Sequence, residues 1–247
     1  MHSGSPTTLT PTDRQRPDVS ADTRHTTRLQ LACGTTALVI LAALGLLIVR
    51  PHLAGPETAL LNRFVTAGPD WLGSLAVVLS AVFAPFGAVV IACLVGLAVM
   101  LGGGLVKALH YWWVVGVVVL VATAVKFVVH RPRPDANLLV VARAPETGSL
   151  SFPSGHTVFA TVLVLALAFV VTTRTRRVLV VALACVAGIT MGFTRLYVGA
   201  HFPSDVLASY VCVAAGTAIA QAGWSRFVGP LVTTLHEHDK CGMARAS

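Results

Sequence analysis

This chain has little charge. Asp, Glu, Lys and Arg make up 11% of its 247 residues, while 55% are apolar. A soluble globular domain carries about a quarter charged residues, so that class is excluded. Acidic residues are scarcer than basic ones, ten against eighteen, which leaves a net charge of +8. Carboxylate clusters of the kind that hold Mg²⁺ or Ca²⁺ are absent, and so is a metal-ligand constellation. Aromatic residues account for 7% and do not interleave with the basic ones, which removes the nucleic-acid reading of the positive charge. The five cysteines are scattered, with Cys33, Cys93, Cys185 and Cys212 in apolar runs and Cys241 near the end. None forms a CxxC pair, so neither a disulfide framework nor a thiolate metal site is indicated. P-loop and dinucleotide glycine signatures are missing, as are internal repeats.

What remains is long hydrophobic runs, and a mean hydropathy of +0.78 places the chain in a bilayer. A crossing needs roughly 20 apolar residues. The runs are Leu31–Val49, Trp71–Leu101, His110–Val129, Thr157–Val171, Val178–Phe193 and Val206–Gly223. Trp71–Leu101 is too long for one straight crossing. Pro85 inside it marks either a kink or a division into two short segments. These runs predict an all-α, polytopic membrane protein with six transmembrane helices. Residues 1–28 read as a disordered leader, 29–228 as the membrane domain and 229–247 as a tail. A cleavable signal peptide does not fit, because a long polar segment comes first and Arg50-Pro51 follows the first run.

Basic residues in short loops mark the cytoplasmic side. Arg14, Arg16, Arg24 and Arg28, then Lys107, then Arg174, Arg176 and Arg177, then Arg226 and Lys240 all fall on one face of a six-span arrangement. Both termini are therefore expected in the cytoplasm of a multi-pass plasma-membrane protein. Between Glu57 and Asp70, Leu60, Leu61 and Phe64 share one side of a possible interfacial helix, a lid or lipid guide; an ordinary loop is the other reading. His236 and His238 belong to the tail, where a solvated segment outweighs a metal site.

Polar residues unexplained by topology gather on the opposite, extracytoplasmic face. They are Lys126, His130, Arg131, Arg133 and Asp135 after the third run, Ser154 and His156 before the fourth, Arg195 at the end of the fifth, and His201 and Asp205 before the sixth. Lys126, Arg133 and Arg195 supply cationic donors suited to a phosphate. Pro153-Ser154-Gly155-His156 opens a helix whose N-terminal N–H groups and dipole favour an anion, and Gly155 permits close backbone approach. His201 and Asp205, four apart, share one side of a helical turn. The carboxylate can hold the imidazole in the tautomer that leaves its other nitrogen free to attack phosphorus. His156 can protonate the leaving oxygen and later activate water. Taken singly, Lys126 can snorkel, "HRPRP" can be a stiff solvated loop with Arg131 and His130 peripheral, and Ser154 and Asp205 can be helix caps. Their joint occurrence at one membrane depth favours a site.

Lys126 with Arg133-Pro134, then Pro153-Ser154-Gly155-His156, then Thr194-Arg195 with His201 and Asp205, together resemble the three-part signature of the type-2 phosphatidic acid phosphatase superfamily. That superfamily includes membrane lipid phosphatases, bacterial acid phosphatases and vanadium haloperoxidases. The resemblance covers about residues 30–225 and implies the helical bundle of that superfamily. It implies His201 as nucleophile, Asp205 as its partner and His156 as general acid. It further implies Lys126, Arg133, Ser154, Gly155 and Arg195 as phosphate ligands. Thr194 stands where the family usually has Ser, and phosphate contact through its hydroxyl is expected to persist.

The expected activity is metal-independent hydrolysis, with no cofactor, of a lipid phosphate held in the bilayer: phosphatidic acid, phosphatidylglycerol phosphate or a polyprenyl diphosphate. A phosphotransferase using the same phosphohistidine and a non-catalytic anion-binding membrane protein are the alternatives. No nucleic-acid partner is expected.

Overall fold

The computed structural model of the chain describes residues 19–49, 51–143, 150–232 and 234–235. Residues 1–18 of the expected leader, with Arg14 and Arg16, lie outside this set, as do His236, His238, Lys240 and Cys241. Among the described residues the structure is entirely helical: α1 (Val19–Ile48), α2 (Pro51–Val65), α3 (Asp70–Val82), α4 (Pro85–Gly103), α5 (Leu105–Val129), α6 (Gly155–Leu165), α7 (Arg174–Tyr197) and α8 (Pro203–Gly223). Short 3₁₀ turns cover Ala136–Leu138 and Ala166–Phe169, and a π turn, Trp224–Val228, continues α8. Helix α1 starts within the stretch read as a disordered leader. Helical backbone also continues past Val228 into the stretch read as tail.

Local chemistry sets the breaks. Pro85 opens α4, where its missing N–H is not needed. Gly104, at φ 88° and ψ 166°, takes an extended positive-φ conformation open to glycine, and this separates α4 from α5. His130 ends α5 in the left-handed helical region (φ 52°, ψ 38°), and Pro132 and Pro134 keep the chain from resuming the helix. Pro203 sits at the start of α8, with Asp205 in its first turn.

Five described helices are long and apolar enough to cross a bilayer: α1 from Arg24, α4, α5, α7 and α8 through Val232. The expected fourth crossing is the shorter Gly155–Phe169 unit. It is packed against α5, α7 and α8, so its surface is covered by protein rather than lipid. Trp71–Leu101 is divided, not kinked: α3 and α4 are separate helices. At about 1.5 Å per residue the 13 residues of α3 rise only about 20 Å, short of a crossing. Both its ends touch the same end of the bundle. The Pro69 carbonyl accepts from Tyr197 Oη at 2.9 Å, and the Ser80 carbonyl lies 3.2 Å from His156 Nε2. The helix directions after α3 are therefore those of a chain that has crossed once. Helices α2 and α3, bent by 111° from Gly55–Val65 to Asp70–Val82, form a cap over that end.

Helix α5 runs through the core, where Tyr111, Val114, Val118 and Val125 meet Val162 of α6 and Cys212 of α8. Without a strong hydrophobic drive inside lipid, helices associate through close small-residue packing. Gly34 of α1 lets α8 approach, because a Cβ there would stand 2.8 Å from Ile219 and 2.9 Å from the Ala215 carbonyl. Lipid-facing positions such as Val39, Leu94 and Ile189 are exposed and apolar.

Candidate active site

Four chain segments converge where α5 and α7 end and α6 and α8 begin. Ser209 Oγ of α8 donates to both the Ser154 carbonyl at 3.1 Å and the Asp205 carbonyl at 2.8 Å, and Ser154 N reaches the Asp205 carbonyl at 3.2 Å. The starts of α6 and α8 are thereby fixed against each other.

His201 and Asp205 are fully buried. Asp205 Oδ2 accepts from the backbone N–H of Phe202 at 2.9 Å and from Ser151 Oγ. The same oxygen lies 3.4 Å from His201 Nδ1, within ion-pair reach but short of hydrogen-bond geometry. Arg133 Nη1 donates to the Ala200 carbonyl at 2.8 Å and stands 2.9 Å from His201 Nε2. A guanidinium only donates, so Nε2 carries the lone pair and the neutral ring holds its proton on Nδ1, toward Asp205. Burial drives the His201 pKa from 6.5 down to about 4; the charges of Arg133 and Lys126 push the same way, while Asp205 opposes them. At neutral pH the ring is uncharged and can act as a nucleophile.

The remaining expected residues surround this pair. Lys126, in the last turn of α5, donates from Nζ to the Leu150 carbonyl at 2.7 Å. Arg195, in the last turn of α7, is completely buried, and its carbonyl accepts from Ala200 N at 3.1 Å. Ser154 occupies the N-cap position of α6, yet its hydroxyl makes no capping hydrogen bond; Thr157 Oγ1 donates to it at 3.1 Å. The cap reading of Ser154 therefore does not hold, and the first-turn N–H groups lack a side-chain cap. Gly155 has open space above it: a Cβ there would meet nothing within 4 Å. His156 is half-buried and turns its Nε2 to the Ser80 carbonyl of α3. Since that carbonyl can only accept, Nε2 of His156 is protonated.

Two expectations change. Thr194 does not offer its hydroxyl to the cradle, because Oγ1 donates to the Met191 carbonyl of its own helix at 2.7 Å. Arg131 is not peripheral. Only 3% exposed, it donates to Asp205 Oδ1 and Ser204 Oγ, each at 2.7 Å, and pairs with Glu57 of α2. His130, by contrast, is exposed, and Asp135 caps its own turn by accepting from Asn137 N at 2.9 Å. Glu57, Ser151 and Ser209 were not singled out from the sequence. A signal existed for Glu57, the only acidic residue between Asp22 and Asp70. On the far side of His156, Leu79, Phe83, Ile91, Leu163 and Leu167 help line an apolar cavity of about 340 Å³ between α3, α4, α6 and α7.

The PAP2 superfamily model matches residues 107–228, a stretch that contains every residue of this constellation from Lys126 to Asp205. Residues 107–228, just under half of the chain, are thus similar to the PAP2 superfamily. Undecaprenyl-diphosphatase BcrC of Bacillus subtilis (strain 168) is 34% identical over 130 residues, covering 50% of this chain and 63% of the relative. The alignment thus spans under two thirds of that relative's length. The crystal structure of a transmembrane PAP2-type phosphatidylglycerolphosphate phosphatase from Bacillus subtilis superimposes with a TM-score of 0.65 at 20% identity, over 80% of this chain and 97% of that one. At that identity the likeness establishes the fold alone: a multi-pass membrane helical bundle.

Proposed function

We propose that this protein is a membrane lipid phosphatase that cleaves a lipid phosphomonoester or diphosphate through a phosphoenzyme on His201. The observation that carries the reading is the setting of His201: it is buried, with Nδ1 3.4 Å from Asp205 Oδ2 and Nε2 2.9 Å from Arg133 Nη1, which fits a neutral ring whose lone pair is on Nε2. Arg133 moves from Nε2 onto the incoming phosphate, where its fork matches two phosphoryl oxygens, and the lone pair is released for attack. Lys126, Arg195, the Ser154 hydroxyl and the N-terminal N–H of Gly155 bind the remaining charge. Nε2 bonds to phosphorus as the bond to the leaving oxygen breaks, and that oxygen takes a proton from His156. Water then gives its proton to His156 and attacks phosphorus. The P–N bond breaks, inorganic phosphate leaves, and His201 returns to its neutral form.

The lipid enters from the bilayer, with its chain in the apolar cavity beside His156. A polyprenyl diphosphate is the first substrate to test, because the 34%-identical relative is named for it. Phosphatidylglycerol phosphate and phosphatidic acid follow. The basic residues Lys107 at the start of α5, Arg174, Arg176 and Arg177 at the start of α7 and Arg226 after α8 lie at the helix ends opposite those that carry the site. The termini are accordingly assigned to the cytoplasm and the site to the extracytoplasmic face of the plasma membrane.

The test is phosphate release by purified, detergent-solubilised protein in EDTA from these three lipids, set against His201→Ala. Release by wild type and none by the variant is the expected result. Equal release by both overturns the mechanism, and capture of the label by an added lipid or sugar acceptor in place of water identifies a transferase.

A further inference from the structure

We propose that Glu57 and Arg131 are positioning residues, a buried ionic chain from the α2 cap that fixes Asp205 and, through it, the orientation of His201. The inference rests on the reading of His201 as nucleophile and adds two residues that lie outside the phosphate cradle.

Asp205 is a buried carboxylate facing a neutral histidine, and such a charge requires a cation close by. Arg133 and Lys126 are directed elsewhere, to Ala200, His201 and the Leu150 carbonyl. Arg131 is the cation that touches the carboxylate, at Oδ1, while Oδ2 is left for Phe202 N, Ser151 and the His201 side. Its other terminal nitrogen is held by Glu57, which also accepts from Ser204 N at 3.3 Å. The Phe202 ring covers the guanidinium at 4.1 Å from its centroid.

With both terminal nitrogens on carboxylates and 3% of its surface exposed, Arg131 is placed to orient rather than to bind phosphate. The chain has a net charge of −1 while His201 is neutral, counting Glu57, Arg131 and Asp205. Positive charge formed on the imidazole during attack is met by that fixed excess. Because Glu57 belongs to α2, seating of the cap and alignment of the nucleophile become one event.

The test measures kcat and KM across pH for phosphate release from a polyprenyl diphosphate and from phosphatidic acid. It uses full-length wild type, Arg131→Met, Arg131→Lys, Glu57→Gln and the Glu57→Gln/Arg131→Met double variant. Arg131→Met is expected to lower kcat on the order of 10- to 100-fold with KM within about 3-fold, the pattern of a lost orienting contact. Arg131→Lys restores part of the loss. Glu57→Gln shows a smaller loss in kcat, and the double variant is no worse than Arg131→Met alone.

A wild-type kcat in Arg131→Met, a loss confined to KM, or full additivity in the double variant overturns the inference. Should Arg131→Met not yield folded protein, Glu57→Gln decides alone, and a wild-type kcat there is the contrary result. Activity in His201→Ala defeats the underlying reading instead; an inactive His201→Ala beside a fully active Arg131→Met defeats only the positioning chain.

Discussion

Arg133 Nη1 rests 2.9 Å from His201 Nε2, the nitrogen proposed to attack phosphorus. In the proposed mechanism this one cation shields the nucleophile before substrate binds and then becomes a phosphate ligand. Arg133→Lys keeps the charge but loses the two-pronged fit, and kcat/KM should fall by about two orders of magnitude. Arg133→Met also removes a charge that depresses the His201 pKa. The acid limb of its residual kcat/KM profile should move upward from that of wild type. An unmoved limb would separate Arg133 from His201.

The pH dependence of wild type follows from His201. Its pKa is held at about 4 in the fold by burial, with Arg133 and Lys126 assisting and Asp205 opposing, against 6.5 in the unfolded chain. The acid limb of kcat/KM should therefore lie near pH 4, not near 6.5. Stability carries the same signature. Between pH 4 and 6.5 the unfolded chain binds a proton that the folded chain does not, so this contribution is complete above pH 6.5 and lost as pH falls toward 4. Thermal midpoints of wild type and His201→Gln at neutral and acidic pH measure it. The wild-type advantage should narrow on acidification, and a constant difference would contradict the assignment.

The role proposed for His156 depends on the leaving group. His156→Ala should lower kcat by about 10²- to 10⁴-fold on a lipid alkoxide leaving group. On para-nitrophenyl phosphate, whose phenolate leaves without protonation, the loss in the first step should shrink. Equal losses on both substrates would assign His156 to binding rather than acid catalysis.

Much of this site was legible before any coordinates. Lys126, Arg133, Ser154, Gly155, His156, Arg195, His201 and Asp205 stand at spacings that tie them to the ends of apolar runs, and in such runs a polar residue is conspicuous. Arg131 was not legible, because only the return of α8 beside the post-α5 loop shows which neighbouring arginine meets Asp205 and which meets His201. Glu57 lay 148 positions from Asp205 in sequence, and α2 itself was balanced between helix and loop. Pro85 marks the break in Trp71–Leu101, but hydropathy does not tell a kink from a division where apolar residues flank both sides. Thr194 looked like a phosphate ligand, but its alternative partner, the Met191 carbonyl, is supplied by the helix itself.

Two glycine substitutions separate the cradle from the scaffold. Gly155→Ala adds a methyl that meets no protein atom within 4 Å, but it occupies the space above the start of α6. The thermal midpoint should hold while KM rises. Gly96→Ala instead drives a Cβ to 2.0 Å from Trp112 Nε1, which donates to the Ala92 carbonyl at 3.0 Å. That overpacking should cost about 1–3 kcal/mol of stability and leave KM unchanged. Differential scanning fluorimetry and steady-state kinetics on both variants distinguish the two effects, and a thermal loss in Gly155→Ala equal to that in Gly96→Ala would erase the distinction.

The central claim is the phosphoryl bond to His201, and rapid-quench trapping tests it most directly. Purified protein is mixed with an excess of polyprenyl diphosphate labelled in its terminal phosphate, quenched in alkali at successive times, and mapped by peptide mass spectrometry. The account predicts an acid-labile, alkali-stable phosphoryl group on His201 that forms with the first release of lipid product, precedes inorganic phosphate and is absent from His201→Ala. Inorganic phosphate appearing together with lipid product in the first turnover, with no label on the protein and equal turnover by His201→Ala, would contradict it.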